Sequence, residues 1–340
     1  MLFKSLVTLA LAAGSFAQRP TNTSICDYYT TALLKNNTGA NQLTLLTLLV
    51  NTAVIGNYSS TPGLGPRIIA HSAGRLASRS LSTPLNVGVG VPGILNPNGT
   101  YNGTAVNLVP YFSGALASTN RGGNSGVSVN FLDGGGAAPL MNNTAANSNS
   151  TNQYKLLNHL YEFFGVLLGC TQLGSTYQPY PGNKSMYEVH KFMVLDPSEM
   201  NYFITQVALS AASFGVAEAD IEAAGSALNT LFNYRCSPPV RQNVSAALAG
   251  TLQSICTEST CPLDADSNCT AQTAIADPVA ANSTNNGSAS ATSAMGSATG
   301  SRTGSATAAA ATTTKAASGA NQVKAAGAVG IIGAAVALLL

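Results

Sequence analysis

The chain has 340 residues, of which 45% are hydrophobic and only 8% are charged, and its formal net charge is +2. Soluble domains commonly carry about 25% charged residues, so charged side chains alone do not explain how a folded domain of this composition stays in solution. No basic block is present, which argues against a nucleic-acid partner.

The first 17 residues have the features of a secretory signal peptide. A single basic residue, Lys4, precedes an apolar run over residues 6–13, and Ser15-Phe16-Ala17 provides a small-x-small cleavage site. The apolar run is too short to span a membrane as a helix. We therefore expect a secreted chain that begins after Ala17.

Two helices are predicted at the start of the mature chain, over residues 25–34 and 42–55. The second has apolar residues at helical spacing along one face, namely Leu43, Leu46, Val50 and Ala53. These two helices are the first elements of the expected core.

Residues 58–150 are rich in Gly, Pro, Asn and Ser and predict loops with short apolar pieces. The Asp-Gly-Gly-Gly motif at 133–136 predicts a turn rather than a phosphate-binding loop, because no Lys-Ser/Thr pair follows it. Residues 65–84 hold three of the chain's eight arginines: Arg67, Arg75 and Arg79. That stretch is compatible with a surface insertion or with a retained intron.

Four more helices are predicted between residues 153 and 234. The first, over 153–170, carries an apolar stripe on Leu156, Leu160, Phe163 or Phe164, and Leu167. A short helix over 185–192 contains His190. Asp196-Pro197-Ser198-Glu199 has the sequence of a helix start, Gly215 ends that helix, and the last helix is predicted over 218–234. Short links between these helices predict an all-α fold.

The C-terminal part predicts a stalk and a lipid anchor. Residues 276–319 are almost entirely Ala, Ser, Thr, Gly and Asn, a composition that cannot bury a core and is typical of an O-glycosylated stalk. Small residues, a polar spacer and an apolar tail over 329–340 follow in the order of a GPI signal. Ser318 is the preferred attachment residue, with Gly319 and Asn321 as alternatives, and 320–340 would be removed. A tail anchor is the alternative, but about twelve apolar residues are few for a membrane span.

The expected folded domain is therefore residues 18–275. We expect it at the outer face of the plasma membrane or in the cell wall, and this architecture is typical of fungal cell-surface proteins. Its surface is predicted to be heavily N-glycosylated, because the chain contains twelve Asn-x-Ser/Thr sequons. They begin at Asn22, Asn36, Asn57, Asn98, Asn102, Asn142, Asn149, Asn183, Asn243, Asn268, Asn282 and Asn286.

Six cysteines in a secreted chain predict three disulfides. They are Cys26, Cys170, Cys236, Cys256, Cys261 and Cys269. Their pairing does not follow from the sequence. Cys261 and Cys269 are near enough in sequence to close a small loop beside the stalk, and the earlier cysteines could join the helices to one another. A zinc site is disfavoured because no Cys-x-x-Cys pair occurs.

From Gln153 onward, the order of motifs resembles the truncated (2-on-2) globins, specifically their first group. Phe163-Phe164-Gly165 through Gly169-Cys170 is similar to the end of the family's distal helix. Tyr180-Pro181-Gly182 and Met186-x-x-x-His190 are similar to the loop and proximal histidine that follow, and Gly215-Val216 to the end of the next helix. Pro110-Tyr111-Phe112 resembles the family's Pro-Phe-Phe. The chain departs from the family in long insertions at about 58–107 and 113–152.

The resemblance implies a globin-like core that binds haem b. His190 would be the proximal ligand, with its second ring nitrogen donating to a carbonyl. His159 would be a second axial ligand or would swing out to admit a diatomic ligand or peroxide. The rest of the implied pocket is Leu156, Leu160, Phe164, Phe112 and Asn51, where Asn51 stands in place of the family's usual distal tyrosine. The implied functions are ligand binding or electron transfer at the cell surface, rather than a conventional enzyme activity.

Two other functions compete with this expectation. A cofactor-free structural or adhesive mannoprotein, with cell-wall glycans as partners, explains the signal, stalk, sequons and anchor equally well. A plant-type haem peroxidase is the second alternative, because Ala70-His71-Ser72-Ala73-Gly74-Arg75 resembles its proximal segment, but no Arg-x-x-Phe-His partner is present. A hydrolase is disfavoured, since the chain has no Gly-x-Ser-x-Gly motif.

Overall fold

The structure, a computed structural model, describes residues 19–57, 89–172, 174, 180–242, 246–272 and 275–281. The predicted signal peptide, the 65–84 segment with His71, most of the stalk and Ser318 lie outside the described residues, as do the sequons at Asn243, Asn282 and Asn286.

The described residues form eight α-helices and one small hairpin. The helices are α1 Ile25–Leu34, α2 Gly39–Ile55, α3 Val109–Ser113, α4 Ala137–Met141, α5 Asn152–Leu167, α6 Met186–His190, α7 Pro197–Ser213 and α8 Glu218–Phe232. Strands β1 Gly99–Tyr101 and β2 Thr104–Val106 are antiparallel, with Gly99 opposite Val106. The expectation of a mostly helical chain is confirmed at this level.

The helices begin where side chains satisfy the first free backbone amides. The Thr38 hydroxyl accepts from the amide of Asn41, so α2 starts three residues before the predicted position. Asp196 and Glu199 form the predicted capping box at the start of α7. At the other end of α5, Gly169 has a positive φ of 71°, and the helix stops at Leu167 rather than running to the predicted residue 170.

α2 is the centre of the core. Most of its residues are buried, and it packs against α1, α5 and α7, while α7 packs against α8. The Ser210 hydroxyl of α7 donates to the carbonyl oxygen of Leu49 at 2.7 Å. This buried hydrogen bond links α7 directly to the backbone of α2. Within the described part of the chain, no single helix is long and apolar enough to cross a membrane; α1 and α2 pass that test only as a pair, bent by 95°.

A buried charge cluster joins the N-terminal end of the described chain to α8. Arg19 Nε lies 2.9 Å from Asp220 Oδ1, and the Tyr29 hydroxyl donates to Asp220 Oδ2 at 2.8 Å. Burial raises the pKa of Tyr29 well above its usual value, so this hydroxyl stays protonated and remains a donor. The cluster holds the start of the domain close to α1.

The glycine motif at 133–136 forms the predicted turn, and its aspartate caps a helix. The two carboxylate oxygens of Asp133 accept from the backbone amides of Asn152 and Gln153 at 3.0 and 2.9 Å. The turn therefore positions the start of α5, the helix that carries His159.

The three disulfides are Cys26–Cys170, Cys236–Cys269 and Cys256–Cys261. The first joins α1 to the end of α5, as expected for an early pair. A Cys261–Cys269 loop is wrong: Cys261 closes on Cys256, where its amide donates to the carbonyl oxygen of Glu258 at 3.0 Å. Cys269 instead faces Cys236, because the amide of Asn268 donates to the Cys236 carbonyl oxygen at 2.8 Å.

Candidate functional site

His190 is the last residue of α6, a one-turn helix capped by the Ser185 hydroxyl. Its Nδ1 lies 2.8 Å from the carbonyl oxygen of Met186, one turn earlier. Burial lowers the pKa of His190, which favours the neutral ring even though the carbonyl contact acts in the opposite direction. With Nδ1–H donating to this carbonyl, Nε2 is the nitrogen left to bind another group.

His159 lies on the exposed side of α5, in a patch of polar and aromatic groups. Its ring contacts Tyr180 edge to face, with the centroids 5.6 Å apart. Partial burial of the ring lowers the pKa of His159, and the positive charge of Arg121 lowers it further.

One turn further along α5, the carboxyl group of Glu162 lies in an environment that disfavours its charged form. Its Oε2 is buried and has no hydrogen-bond partner among the described residues. Burial raises the pKa of Glu162 to about 7. Burial raises the pKa of the neighbouring Tyr180 phenol, and the charge of Glu162 raises it further. Sequence reasoning missed Glu162, although it is an acidic residue on the same helix as the predicted haem residues.

Asn51 is fully buried between α2 and α5, and its side-chain amide is engaged on both sides. It accepts from the Tyr161 hydroxyl at 2.6 Å and donates to the Leu140 carbonyl oxygen at 3.4 Å. Burial raises the pKa of Tyr161, so the phenol remains a donor. The pair is a satisfied polar contact within the core rather than an open distal position.

Leu160 and Phe164 line a small apolar cavity between α5, α2 and α7. Its volume is only about 10 Å³, close to that of a single water-sized probe. Other lining residues are Leu49, Ala53, Phe203 and Val207. Leu156 on α5 and Phe112 on α3 are half-buried and line neither this cavity nor the larger one described below.

The residues of the implied haem pocket have different partners in the structure. Leu160 and Phe164 share the small cavity, whereas Asn51 is bonded to Tyr161 and His159 contacts Tyr180. His190 lines neither cavity, and the small cavity cannot hold a porphyrin. Among the described residues, Leu160 and Phe164 would have to separate from the facing helices before a haem group could fit between them. No cluster of three or more potential metal ligands among His, Cys, Asp and Glu occurs in the described ranges.

A larger cleft, of about 590 Å³, lies between the end of α6 and the disulfide-linked loops after α8. Its charged lining residues are Lys191, Arg235, Glu258 and Asp277, and Thr257 lies beside them. The Nε of Arg235 and the Oγ1 of Thr257 are both buried and without a partner among the described residues. A cleft of this size is in the range of small-molecule sites.

Two of the charged groups in the cleft, Glu258 and Lys191, already have partners within the protein. Ser259 and Thr260 donate to the Glu258 carboxylate, and these bonds lower the pKa of Glu258 to about 2. Lys191 Nζ lies 2.7 Å from Glu188 Oε2 on α6. Sequence reasoning missed this cleft; the available signal was an arginine directly before Cys236 in a chain with very few charges.

The sequons show a clear pattern in space. Nine of the twelve asparagines lie in the described ranges, and eight of these nine side chains are exposed. The ninth, Asn57, is half-buried: its Nδ2 donates to the Val89 carbonyl oxygen at 2.9 Å and its Oδ1 accepts from the Val91 amide at 2.6 Å. The exposed sites include the hairpin tip at Asn102 and the loop before α6 at Asn183.

Comparison with known proteins does not assign the chain to a family. No protein-family model, curated protein or solved structure matches the chain. The similarity to truncated globins therefore rests on the sequence motifs alone.

Proposed function

We propose that this chain is a cofactor-free, N-glycosylated extracellular domain with a structural or adhesive role, displayed on a Ser/Thr-rich stalk. The observation that carries the proposal is the combination of eight exposed sequon asparagines with a closed apolar core. Glycans at these positions supply the surface polarity that the sparse charges do not. Three disulfides support an oxidising compartment.

The first test is a map of glycan occupancy on the protein from a eukaryotic secreting host. We expect glycans at most of the eight exposed sites and none at Asn57, because its side chain is half-buried and hydrogen-bonded on both sides. Asn102→Gln should shift the mass by one glycan, and Asn57→Gln should leave the glycan mass unchanged. Retention of an unglycosylated chain inside the cell would contradict the proposal.

A second test addresses the partner and the anchor. The purified domain should be retained on insoluble cell-wall polysaccharide, and full-length protein should be released from cells by a phosphatidylinositol-specific phospholipase. A domain that passes through the polysaccharide without retention argues against adhesion. Protein that resists the phospholipase argues for a different attachment to the cell.

Haem binding is the second candidate, and one observation favours it. The carbonyl contact at Nδ1 of His190 leaves Nε2 available, which is the arrangement in which a histidine can serve as an axial ligand. Bound haem would supply reversible binding or reduction of a diatomic ligand or peroxide. For the group to enter beside Leu160 and Phe164, α5 would have to move away from α2 and α7, because the present cavity is too small.

The visible spectrum separates the two candidates. We expect the secreted protein to show no Soret band, before or after incubation with haem. A band that forms with the wild-type chain and disappears in His190→Ala would replace the cofactor-free proposal. His159→Ala is the matched variant: a change in spectrum there, with the band retained, would assign His159 as a second ligand.

A further inference from the structure

The 590 Å³ cleft has rigid walls. The amide of Arg235 donates to the Pro262 carbonyl oxygen at 2.8 Å, and the next residue is bridged to Cys269. Elsewhere in the lining, Thr257 lies within the loop closed by the Cys256–Cys261 bridge, and its amide donates to the Leu195 carbonyl oxygen at 3.1 Å. Both side chains are therefore carried on backbone that is fixed by hydrogen bonds and disulfides.

Two residues that line this cleft each carry a buried polar atom without a partner in the described part of the chain. Arg235 Nε and Thr257 Oγ1 have no hydrogen bond among the described residues, although each is removed from solvent. Most buried polar groups in proteins are satisfied, because an unpaired one costs stability. Because both residues line the same cleft, their unpaired N–H and hydroxyl groups favour a ligand that brings hydrogen-bond acceptors, which the two side chains would meet by turning toward the cleft.

The charges determine which kind of acceptor fits. Lys191 is already paired with Glu188, and Glu258 is held by its own loop through Ser259 and Thr260. No salt bridge involves Arg235 in the described ranges, so its guanidinium is the cation left to attract a ligand. Guanidinium groups pair well with planar oxyanions such as carboxylates.

Asp277 and Glu258 limit the charge of that ligand. Each of these carboxylates repels an added anion in proportion to its charge, so they repel a doubly charged phosphate or sulfate more strongly than a single carboxylate. A ligand that also carries hydroxyl or ammonium donors could hydrogen-bond to the Asp277 carboxylate as well.

We propose that the cleft binds a small monocarboxylate that also carries hydrogen-bond donors, with its carboxylate on Arg235 and Thr257. A sugar acid and a free amino acid are the two sources of this chemistry. The site is independent of the structural role proposed above, and its loss would leave the glycan pattern unchanged.

The experiment is calorimetric titration of the secreted, disulfide-intact protein with sodium glucuronate, L-alanine, inorganic phosphate and sulfate in separate runs. We expect saturable binding of glucuronate or alanine, and the compound that binds identifies the source. Arg235→Gln should weaken that binding by about tenfold to a hundredfold, because it removes a charge-assisted hydrogen bond. Thr257→Val should weaken it by a smaller factor, and Arg235→Lys should restore only part of it.

Arg241→Gln is the matched control, since Arg241 is an exposed arginine in the same segment, paired with exposed Asp266 at 3.4 Å. It should bind as the wild type does. Intact-mass analysis with and without reduction checks that every variant keeps its three disulfides, and binding is scored only for variants that do. Absence of binding of both carboxylates to the wild type, tighter binding of phosphate or sulfate, or unchanged binding in Arg235→Gln would each overturn the proposal.

Discussion

The helices of residues 25–232 and the segment of residues 233–281 use different means to hold their structure. In the helical part, α2 is buried on most sides and the contacts are mainly apolar. In the later segment the only regular element described is a short 3-10 turn at Cys269–Ala271, and two disulfides and several side-chain hydrogen bonds fix the chain. A segment with little core of its own needs covalent links to stay folded.

The two longest disulfides provide the strongest test of this difference. In the chain-entropy description, loss of Cys26–Cys170, which spans 144 residues, destabilises by about 5 kcal/mol. Loss of Cys236–Cys269, which spans 33 residues, destabilises by about 4 kcal/mol. We expect the paired Cys→Ser variant of the first bond to lower the urea midpoint of the whole domain. The variant of the second should remove hydrogen-exchange protection from 233–281 and spare α2.

If the α2 amides lose protection to the same extent as residues 233–281 in the Cys236→Ser/Cys269→Ser variant, the two regions unfold as one unit. The comparison between them would then be wrong. The Cys256–Cys261 bond spans only 5 residues and serves as the control, because its removal should cost about 2 kcal/mol.

A cavity in the helical core is the next largest change. Leu46 has no exposed surface and lies in the centre of α2. Leu46→Ala should destabilise by about 2–5 kcal/mol, from lost burial and from the void that remains. Urea unfolding followed by far-UV circular dichroism measures it, with Thr44→Ala on the exposed side of the same helix as the control, expected within about 0.5 kcal/mol of the wild type. Equal effects of the two changes would mean that α2 is not the centre of the core.

The corresponding change in the later segment is to Gln272, whose side-chain amide links three parts of the loop. It accepts from the Cys236 amide at 3.0 Å and donates to Ser254 Oγ at 3.1 Å and to the Ser237 carbonyl oxygen at 3.4 Å. Gln272→Ala leaves buried groups unpaired and should cost about 1–3 kcal/mol. Hydrogen exchange should locate the loss in 233–281, and a loss of the same size in α2 would refute this assignment.

The smallest expected effect is a pH dependence that belongs to the helical part. Because the pKa of Glu162 is raised to about 7 in the folded state, folding favours its protonated form. Its contribution is therefore most favourable below pH 4 and declines as the pH rises through about 4.5 to 7. Glu162→Gln should remove this decline and raise the free energy of unfolding by about 1–2 kcal/mol at pH 7.5. The effect is smaller than the full pKa shift implies, because the carboxyl group is partly accessible to solvent.

Urea unfolding at pH 4 and pH 7.5 measures this effect. The exposed Glu222 on α8 supplies the control, since Glu222→Gln should leave the pH dependence as it is in the wild type. An unchanged pH dependence in Glu162→Gln would show that the carboxyl group is solvated in the folded protein.

Local signals in the sequence determined six of the eight described helices, whereas α3, α4 and the hairpin lie in a stretch that the sequence predicted to be loops. The Asp196–Glu199 capping box, the Asp-Gly-Gly-Gly turn and the start and end of α1 all lie where the sequence predicts them. These features depend on residues three or four positions apart, so they can be recognised without knowledge of the fold. The boundary errors, of which the start of α2 and the end of α5 are the largest at three residues, are short, and those of α6, α7 and α8 are one or two residues.

Only the tertiary structure decided the pairing of the last four cysteines and the surroundings of the two histidines. His159 contacts Tyr180, and His190 bonds to a carbonyl oxygen of its own helix. The cleft at Arg235 likewise combines α6 with loops that come 45 or more residues later in the chain. Which groups meet in such places depends on how the elements pack together, and no spacing within one element encodes that.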